Sequence, residues 1–581
     1  MTPARIPLDD LVARVPPGAR IAIGGHHFAR LPIAALLRLA DAGPDGLQWF
    51  SWGGGLALEI LLEAERIASI DLCFSSLDIF GLPPRFRSVA EARSLPVRDW
   101  PALSMIAALE AGMRNLPFLP VQLPEGSDMA ARCPGLSEAR DAETGRAYGR
   151  VAAVQPDVAI LHAPYADEDG NVAIYGARAL DVLLAGAARR TLVTVDEVVP
   201  SGEFASMGRL TVIPRVLVDA IAHVPGGAAP ASCLPHHVTD WQAVRAAVEA
   251  PALRPALARR EVAPDLAAAA RLTPAAVRAA AFAGAPDTGE ATTDEIMAVH
   301  LARMLGPDSF ASAGAVSPLA NVAYRLARAT HAPDMMLMTF TAGHIDVPPG
   351  PLTLSLYEVA DAGAAAAHAG GEDTYAAYYQ AGRVSHEIIG AAQVDRRGRV
   401  NNLELTKPSG ALLRLAGQGG MSDVANMHAE NLLYITRHAL RTLVEEVTIA
   451  SSARGITGAD RAAMGYLPGG TTVLTDLCLM RLDEEARELI VTETMPGVDA
   501  DRIRAVTGWP VRFAPNCTEI APPDAETLAL LRDRIDPLGL RRLEFVAARD
   551  RAGLLDDILA RDRAGLRACL TNEQSLEPAD A

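Results

Sequence analysis

Residues 384–402 read VSHEIIGAAQVDRRGRVNN. An apolar run ends at Gly390-Ala391-Ala392, and Gln393, Asp395 and Gly398 shape a polar exit. This order predicts a buried strand, a small-residue turn with free backbone amides, and a loop. Gly390 and Ala391 let another backbone or a ligand approach closely. Ser385-His386-Glu387 stands where a buried strand should be apolar. A related pattern lies at 156–172, PDVAILHAPYADEDGNV, and both stretches carry Asp-x-x-Gly-x-Val, at 167–172 and 395–400. The echo predicts two similar halves in one chain.

Working outward, residues 20–25 (RIAIGG) and 47–55 (LQWFSWGGG) are strands that stop in glycine, and 32–40 and 57–68 are helices. Residues 72–76 and 118–121 add strands. This alternation predicts an α/β fold in each half, a mostly parallel sheet flanked by helices. Ligands of such sheets bind in the crevice at the carboxyl ends of the strands, so the glycine stops are the places to look. Composition shifts after about residue 240. The division expected is 1–250, an Ala/Pro-rich stretch of short helices and linker at 251–290, a second domain at 291–570, and a tail at 571–581. The second half restarts the theme with a helix at 293–305, a strand at 310–314 and PLANVAYRLA at 318–327, an echo of PIAALLRLA. A strand at 335–341 leads into Ala342-Gly343-His344. LAGQGGM at 415–421 is a glycine turn, 422–435 reads as a helix capped by Ser422, and 497–561 reads as a closing subdomain.

The chain has 581 residues, half of them apolar, and a net charge of −17. That balance argues against a nucleic-acid partner, which needs a basic face. Six cysteines without close pairing read as thiols in a reducing compartment. No signal-peptide core and no membrane-length apolar run is visible, so the expectation is a cytoplasmic protein without a membrane partner. His236-His237 reads as structural. Cys233 and Asp240 lie close, but no second spaced pair follows, so no metal is expected.

Gly24-Gly25-His26-His27-Phe28-Ala29-Arg30-Leu31-Pro32, LPFLPV at 116–121, GAAQVD at 390–395 and GQGG at 417–420 together resemble a family I CoA-transferase of the glutaconate type, with both subunits fused. The resemblance covers nearly the whole chain outside the linker. It implies two related CoA-transferase-like domains meeting across a cleft, with an acyl-CoA as small-molecule partner and coenzyme A as its carrier. It also implies pairing of fused chains into a homo-oligomer. In the family the thioester oxygen lies near amides of the GAAQ-type turn, and one such donor is worth about 3 kcal/mol. Gly24, Gly25, Ser76, Gly390, Ala391, Gly417, Gly419 and Gly420 are the cofactor-binding positions this suggests.

The sequence departs from the family's pattern at His26, where the motif has Phe, at Arg30, where it has Gly, near Ala102, where an expected glutamate is absent, and above all at the nucleophile. The nucleophilic glutamate of a Ser-Glu-x-Gly motif falls on Thr341 in Phe340-Thr341-Ala342-Gly343. An anhydride intermediate needs a carboxylate, and Asp99 stands alone in the first-half stretch where a branch of hydrolases carries its acid. Other groups must then supply the chemistry. Glu387 is either a buried general acid or base, or a glutamate bonded to a neighbouring strand. His26 and His344 are candidate bases at the cleft, or loop histidines bonded to backbone. His27 and Arg30 are candidates for a substrate carboxylate. Three activities follow: cleavage of an acyl-CoA, by hydrolysis or decarboxylation; CoA transfer with Glu387 as a relocated nucleophile; or acyl-CoA binding without catalysis.

Overall fold

A computed structural model describes residues 3–574 except 209, 259–260, 281, 283–288, 315–316, 340–342 and 484. The first sheet runs Ala4–Arg5, Ala220–His223, Thr191–Val199, Val158–Asp167, Arg20–Ile23, Leu47–Gly53, Ile67–Phe74 and Val97–Asp99. Every pairing along that path is parallel. All ten residues of Val158–Asp167 are buried, as expected of a strand covered by other layers on both faces. Helices such as Ile33–Ala42 and Gly55–Glu63 turn apolar faces onto the sheet.

The second sheet has Met336–Thr339, Phe310–Ala313, His386–Gly390, Glu430–Ile435 and Thr471–Thr475 as parallel neighbours. Antiparallel strands His344–Ile345 and Ala367–His368 extend one side. Cys478–Asp483 and Glu488–Thr494 extend the other, and Arg512–Glu519 closes that edge. One hydrophobic core runs from Leu11 to Cys569 and draws on both halves.

Four expectations change. Residues 422–435 are not one helix: Met421–Met427 is helical and Glu430–Ile435 is a strand. Asn431–Ile435 is buried throughout, and a short apolar run has no periodicity to separate helix from strand. Ser422 lies inside the helix rather than capping it. The strand Phe118–Val121 leaves the main sheet for a three-stranded antiparallel one with Leu136–Arg140 and Ala147–Ala152. Residues 497–561 form no separate unit, since Arg512–Glu519 belongs to the second sheet and helix Arg551–Gln574 buries Leu555, Ile558 and Leu566 in the common core. Within 251–290, helices Leu253–Leu257, Pro264–Ala269 and Pro274–Ala279 bury Leu253, Leu257, Leu266 and Val277 in that core. Asp265 also pairs with Arg563 at 2.5 Å and Arg567 at 3.0 Å. No helix among the described residues is long and apolar enough to cross a membrane.

Candidate functional site

The carboxyl ends of the two sheets meet through the GQGG turn. Ser75 N–H donates to Ala416 O at 2.7 Å and Gly419 N–H to Cys73 O at 3.0 Å. A Cβ on Gly417 would lie 2.8 Å from both Cys73 O and Phe74 Cα, and its φ is +111°. A Cβ on Gly420 would collide with the Tyr375 hydroxyl. Gly417 is therefore required by backbone docking between the halves, and Gly420 by the Tyr375 side chain of its own half, whatever else they bind. Close by, Asp423 Oδ2 accepts from Leu103 N–H at 3.0 Å, so a second-half carboxylate caps the first-half helix Ala102–Met113. Burial pushes Asp423 up to about 7 against that bond, and its Oδ1 has no partner among the described residues. Arg414 reaches Asp99 at 3.0 Å across the same seam, both buried.

At the first glycine stop, where Gly24 and Gly25 are expected to bind the cofactor, the backbone amides are spent inside the protein. Gly24 N–H donates to Ile160 O at 3.0 Å. Gly25 N–H donates to Asp181 Oδ1 at 2.7 Å. The other oxygen of Asp181 holds Arg30 Nη2 at 2.9 Å, and both side chains are buried. This is a correction to Arg30 as a substrate anchor: its carboxylate partner is the chain's own Asp181, already placed without any binding cost. The second small-residue turn is corrected in the same way. Ala391 N–H donates to Tyr434 O at 2.9 Å and Ala392 N–H to the Asn402 side chain at 2.7 Å.

His26 is buried and stacks on Trp52 at 5.0 Å; His27 is half-buried, 5.3 Å from Phe74. Burial, with the charges of His27 and Arg30, holds His26 well below its usual range. Burial takes His27 to about 4. Both are neutral at pH 7 and weak as bases. His344 is fully buried, its Nδ1 2.9 Å from that of His368, and burial keeps it neutral as well. The nearby Arg30 charge lowers both His26 and His344, so the structure brings these two histidines toward one region, below the surface rather than open to it.

From His26 a line of rings crosses between the halves. Trp52 is 6.1 Å from Tyr375, Tyr375 is 4.8 Å from Tyr379, and Tyr379 is 4.6 Å from His428. His428 Nδ1 then lies 3.3 Å from Glu387 Oε2, off hydrogen-bond geometry. Burial raises Glu387 to about 8 and holds His428 well below its usual range. At pH 7 this is a contact of two neutral groups rather than an ion pair, because each is desolvated and neither charge is compensated. Glu387 Oε1 faces Gly314: a Cβ there would lie 3.6 Å from it.

Gly314 also lines a crevice at the carboxyl ends of Phe310–Ala313 and Met336–Thr339. Asn321, Thr339, Tyr357 and Leu354 form its second-half walls, and Asp78 and Trp241 close it from the first half. Asp78 is held at φ +57° on the turn after Ser76, whose Oγ accepts Asp78 N–H at 3.0 Å. Burial lifts Asp78 to about 7. Thr341 lies outside the described residues, two positions after Thr339 of this wall. Ser76 lines a separate small cleft with Gly24, Gly25, His26 and His27. Sequence reasoning missed Asp78, His428 and Asn402. The Ser-x-Asp turn at Asp78 is the only local signal among them.

The family model described as Coenzyme A transferase matches residues 6–223 and 316–505. Over 247 residues the chain is 34% identical to one of the two 3-oxoadipate CoA-transferase subunits of Pseudomonas knackmussii, covering 42% of this chain and 92% of that one. Over 244 residues it is 30% identical to one of the two glutaconate CoA-transferase subunits of Acidaminococcus fermentans, covering 39% and 76%. It is 29% identical over 234 residues to the cholesterol ring-cleaving hydrolase IpdA subunit of Rhodococcus jostii, covering 39% and 79%. In fold it is similar to the acyl-CoA transferase YdiF of Escherichia coli O157:H7, with a TM-score of 0.67 over 90% of this chain and 97% of that one, at 15% identity.

Proposed function

Because this chain belongs to the Coenzyme A transferase family, we propose that it binds an acyl-CoA in the crevice between Asp78 and Gly314 and cleaves it, by hydrolysis or decarboxylation. The observation that supports cleavage over transfer is the state of Glu387. A carboxyl group raised to about 8 is mostly protonated at pH 7. It is a proton donor there, not the anionic nucleophile that an acyl exchange needs. Thr341 offers a hydroxyl at the position where the family resemblance places that nucleophile. Asp78, near half-ionised at neutral pH, is suited to take a proton. In a hydrolysis, water would lose its proton to Asp78 as it adds to the thioester carbonyl. The departing CoA sulfur would take a proton from Glu387. Two carboxyl groups with different surroundings then divide acid and base work. Similarity to a protein named as a ring-cleaving hydrolase supports the same choice.

Transfer is the second reading, favoured by the identity to the 3-oxoadipate CoA-transferase of Pseudomonas knackmussii. One incubation separates the two: an acyl-CoA with and without free acetate. Free CoA or a shortened acyl-CoA that does not depend on acetate supports cleavage. Acetyl-CoA formation, with a borohydride-trapped Glu387 thioester, overturns it.

A further inference from the structure

Behind the first glycine stop, His162, Asp196 and Cys233 converge in the core, with ligand atoms all within 4.8 Å of one another. His162 and Asp196 come from neighbouring parallel strands, Val158–Asp167 and Thr191–Val199, and Cys233 from the turn that follows Ala220–His223. His162 and Cys233 are fully buried and Asp196 nearly so. His162 Nδ1 lies 2.9 Å from Thr194 Oγ1, a hydroxyl that also lies 3.3 Å from Leu161 O, and His162 Nε2 lies 3.3 Å from Asp196 Oδ2. With the ring proton on Nδ1 and accepted by Thr194, Nε2 presents a lone pair to the cluster; with it on Nε2, the ring hydrogen-bonds Asp196. The first arrangement is the one a metal ligand takes.

Asp196 is braced for such a role. Its Oδ1 accepts Gly226 N–H at 2.6 Å, leaving Oδ2 for the cluster. Gly227 lets the chain pass against the imidazole, since a Cβ there would lie 2.7 Å from His162 Cε1. Cys233 is held by reciprocal backbone bonds with His237, at 2.9 and 3.1 Å. His237, four residues on, is 2% exposed, and its Nε2 has no partner among the described residues. The charges of Asp196 and His162 both act on it.

We infer that His162, Asp196 and Cys233 bind a divalent transition metal of the zinc class. Imidazole, carboxylate and thiolate are the donor mixture zinc takes. The Thr194 and Gly226 bonds orient the ligands from behind, as outer partners of metal ligands do. Binding exchanges the Cys233 thiol proton for the metal: the S–H bond breaks, a sulfur–metal bond forms, and one proton leaves to solvent. Buried in the core behind the glycine stop, such a site would be structural. It would pin the turn whose Ser232 carbonyl accepts Arg30 N–H at 2.7 Å, and so the His26–Arg30 stop itself.

The competing reading is a hydrogen-bonded cluster without metal, in which His162 Nε2–H donates to Asp196. Elemental analysis of the full chain, purified without a metal-binding tag, is expected to return about one zinc per chain. After stripping by chelator, cobalt(II) should give a thiolate-to-cobalt charge-transfer band in the near ultraviolet, absent from Cys233→Ala. If Cys233→Ala fails to fold, the wild-type cobalt spectrum decides alone. Zinc below about a tenth of an equivalent, together with no such band, overturns the site and leaves a hydrogen-bonded cluster.

Discussion

Glu387→Gln isolates the buried carboxyl group. The folded chain holds the Glu387 proton with a pKa of about 8, against 4.5 as the ordinary value. The folded state therefore binds this proton more tightly than the unfolded chain does. The stability it contributes is fully present below pH 4.5 and is lost as pH rises toward 8. Between pH 5 and pH 8 wild type should lose about 3 kcal/mol through this one group, at 1.36 kcal/mol for each pKa unit. Glutamine keeps the shape and does not titrate. At about 2.1 cal/mol/K per residue, the unfolding entropy of 581 residues is roughly 1.2 kcal/mol/K. The melting temperature of the variant relative to wild type should thus rise by roughly 3 °C from pH 5 to pH 8. Scanning calorimetry at matched ionic strength, at four pH values across that span, reads it directly. Parallel curves for the two proteins would mean that Glu387 is ionised in the folded state, and the proton-donor role would fall with it.

Three further outcomes are expected. Asp78→Asn should remove the ascending limb of the kcat/KM profile near pH 7 and cut turnover by about a hundredfold or more; an unchanged profile, measured by thiol release, excludes Asp78 as the base. Arg414→Ala should destabilise the protein by about 3–5 kcal/mol, because it leaves Asp99 buried without its partner. The loss should shrink in Arg414→Leu with Asp99→Asn, as followed by urea unfolding. Gly417→Ala should open the seam between the halves, since its Cβ would meet Cys73 O and Phe74 Cα at 2.8 Å in a left-handed backbone. Faster proteolysis on both sides of the seam is the readout, and wild-type resistance would contradict the docking role.

Much of the fold is legible without coordinates, for physical reasons. RIAIGG and LQWFSWGGG are short apolar runs closed by glycine, and a parallel sheet needs that pattern locally. The echo between 156–172 and 384–402 carries the two-sheet architecture. What is illegible depends on partners far away in sequence. Arg30 reads as available because Asp181 is 151 residues distant. The GAAQ turn reads as open because the Tyr434 carbonyl and the Asn402 side chain reach it only after folding. Residues 430–435 read as helix because a strand apolar on both faces carries no period. Glu387 stands out as a polar intruder in a strand, and its burial follows from that position. Asp78 does not stand out, because the burial that lifts it comes largely from walls of the crevice such as Trp241 and Tyr357, far from it in the chain.

The Asp423 cap also has a consequence in time. Leu103, whose amide it receives, precedes it by 320 residues. At ribosomal rates of about 5–20 residues per second, the helix beginning at Ala102 waits between about 16 and 64 seconds for its carboxylate to be synthesised. Asp99 waits as long for Arg414, 315 residues downstream. Through that interval the nascent first half carries an unpaired acid and an open helix start on the face that will later be sealed. Its final rigidity is a property of the finished polypeptide, and a truncated transcript ending before residue 414 should yield a product that chaperones retain.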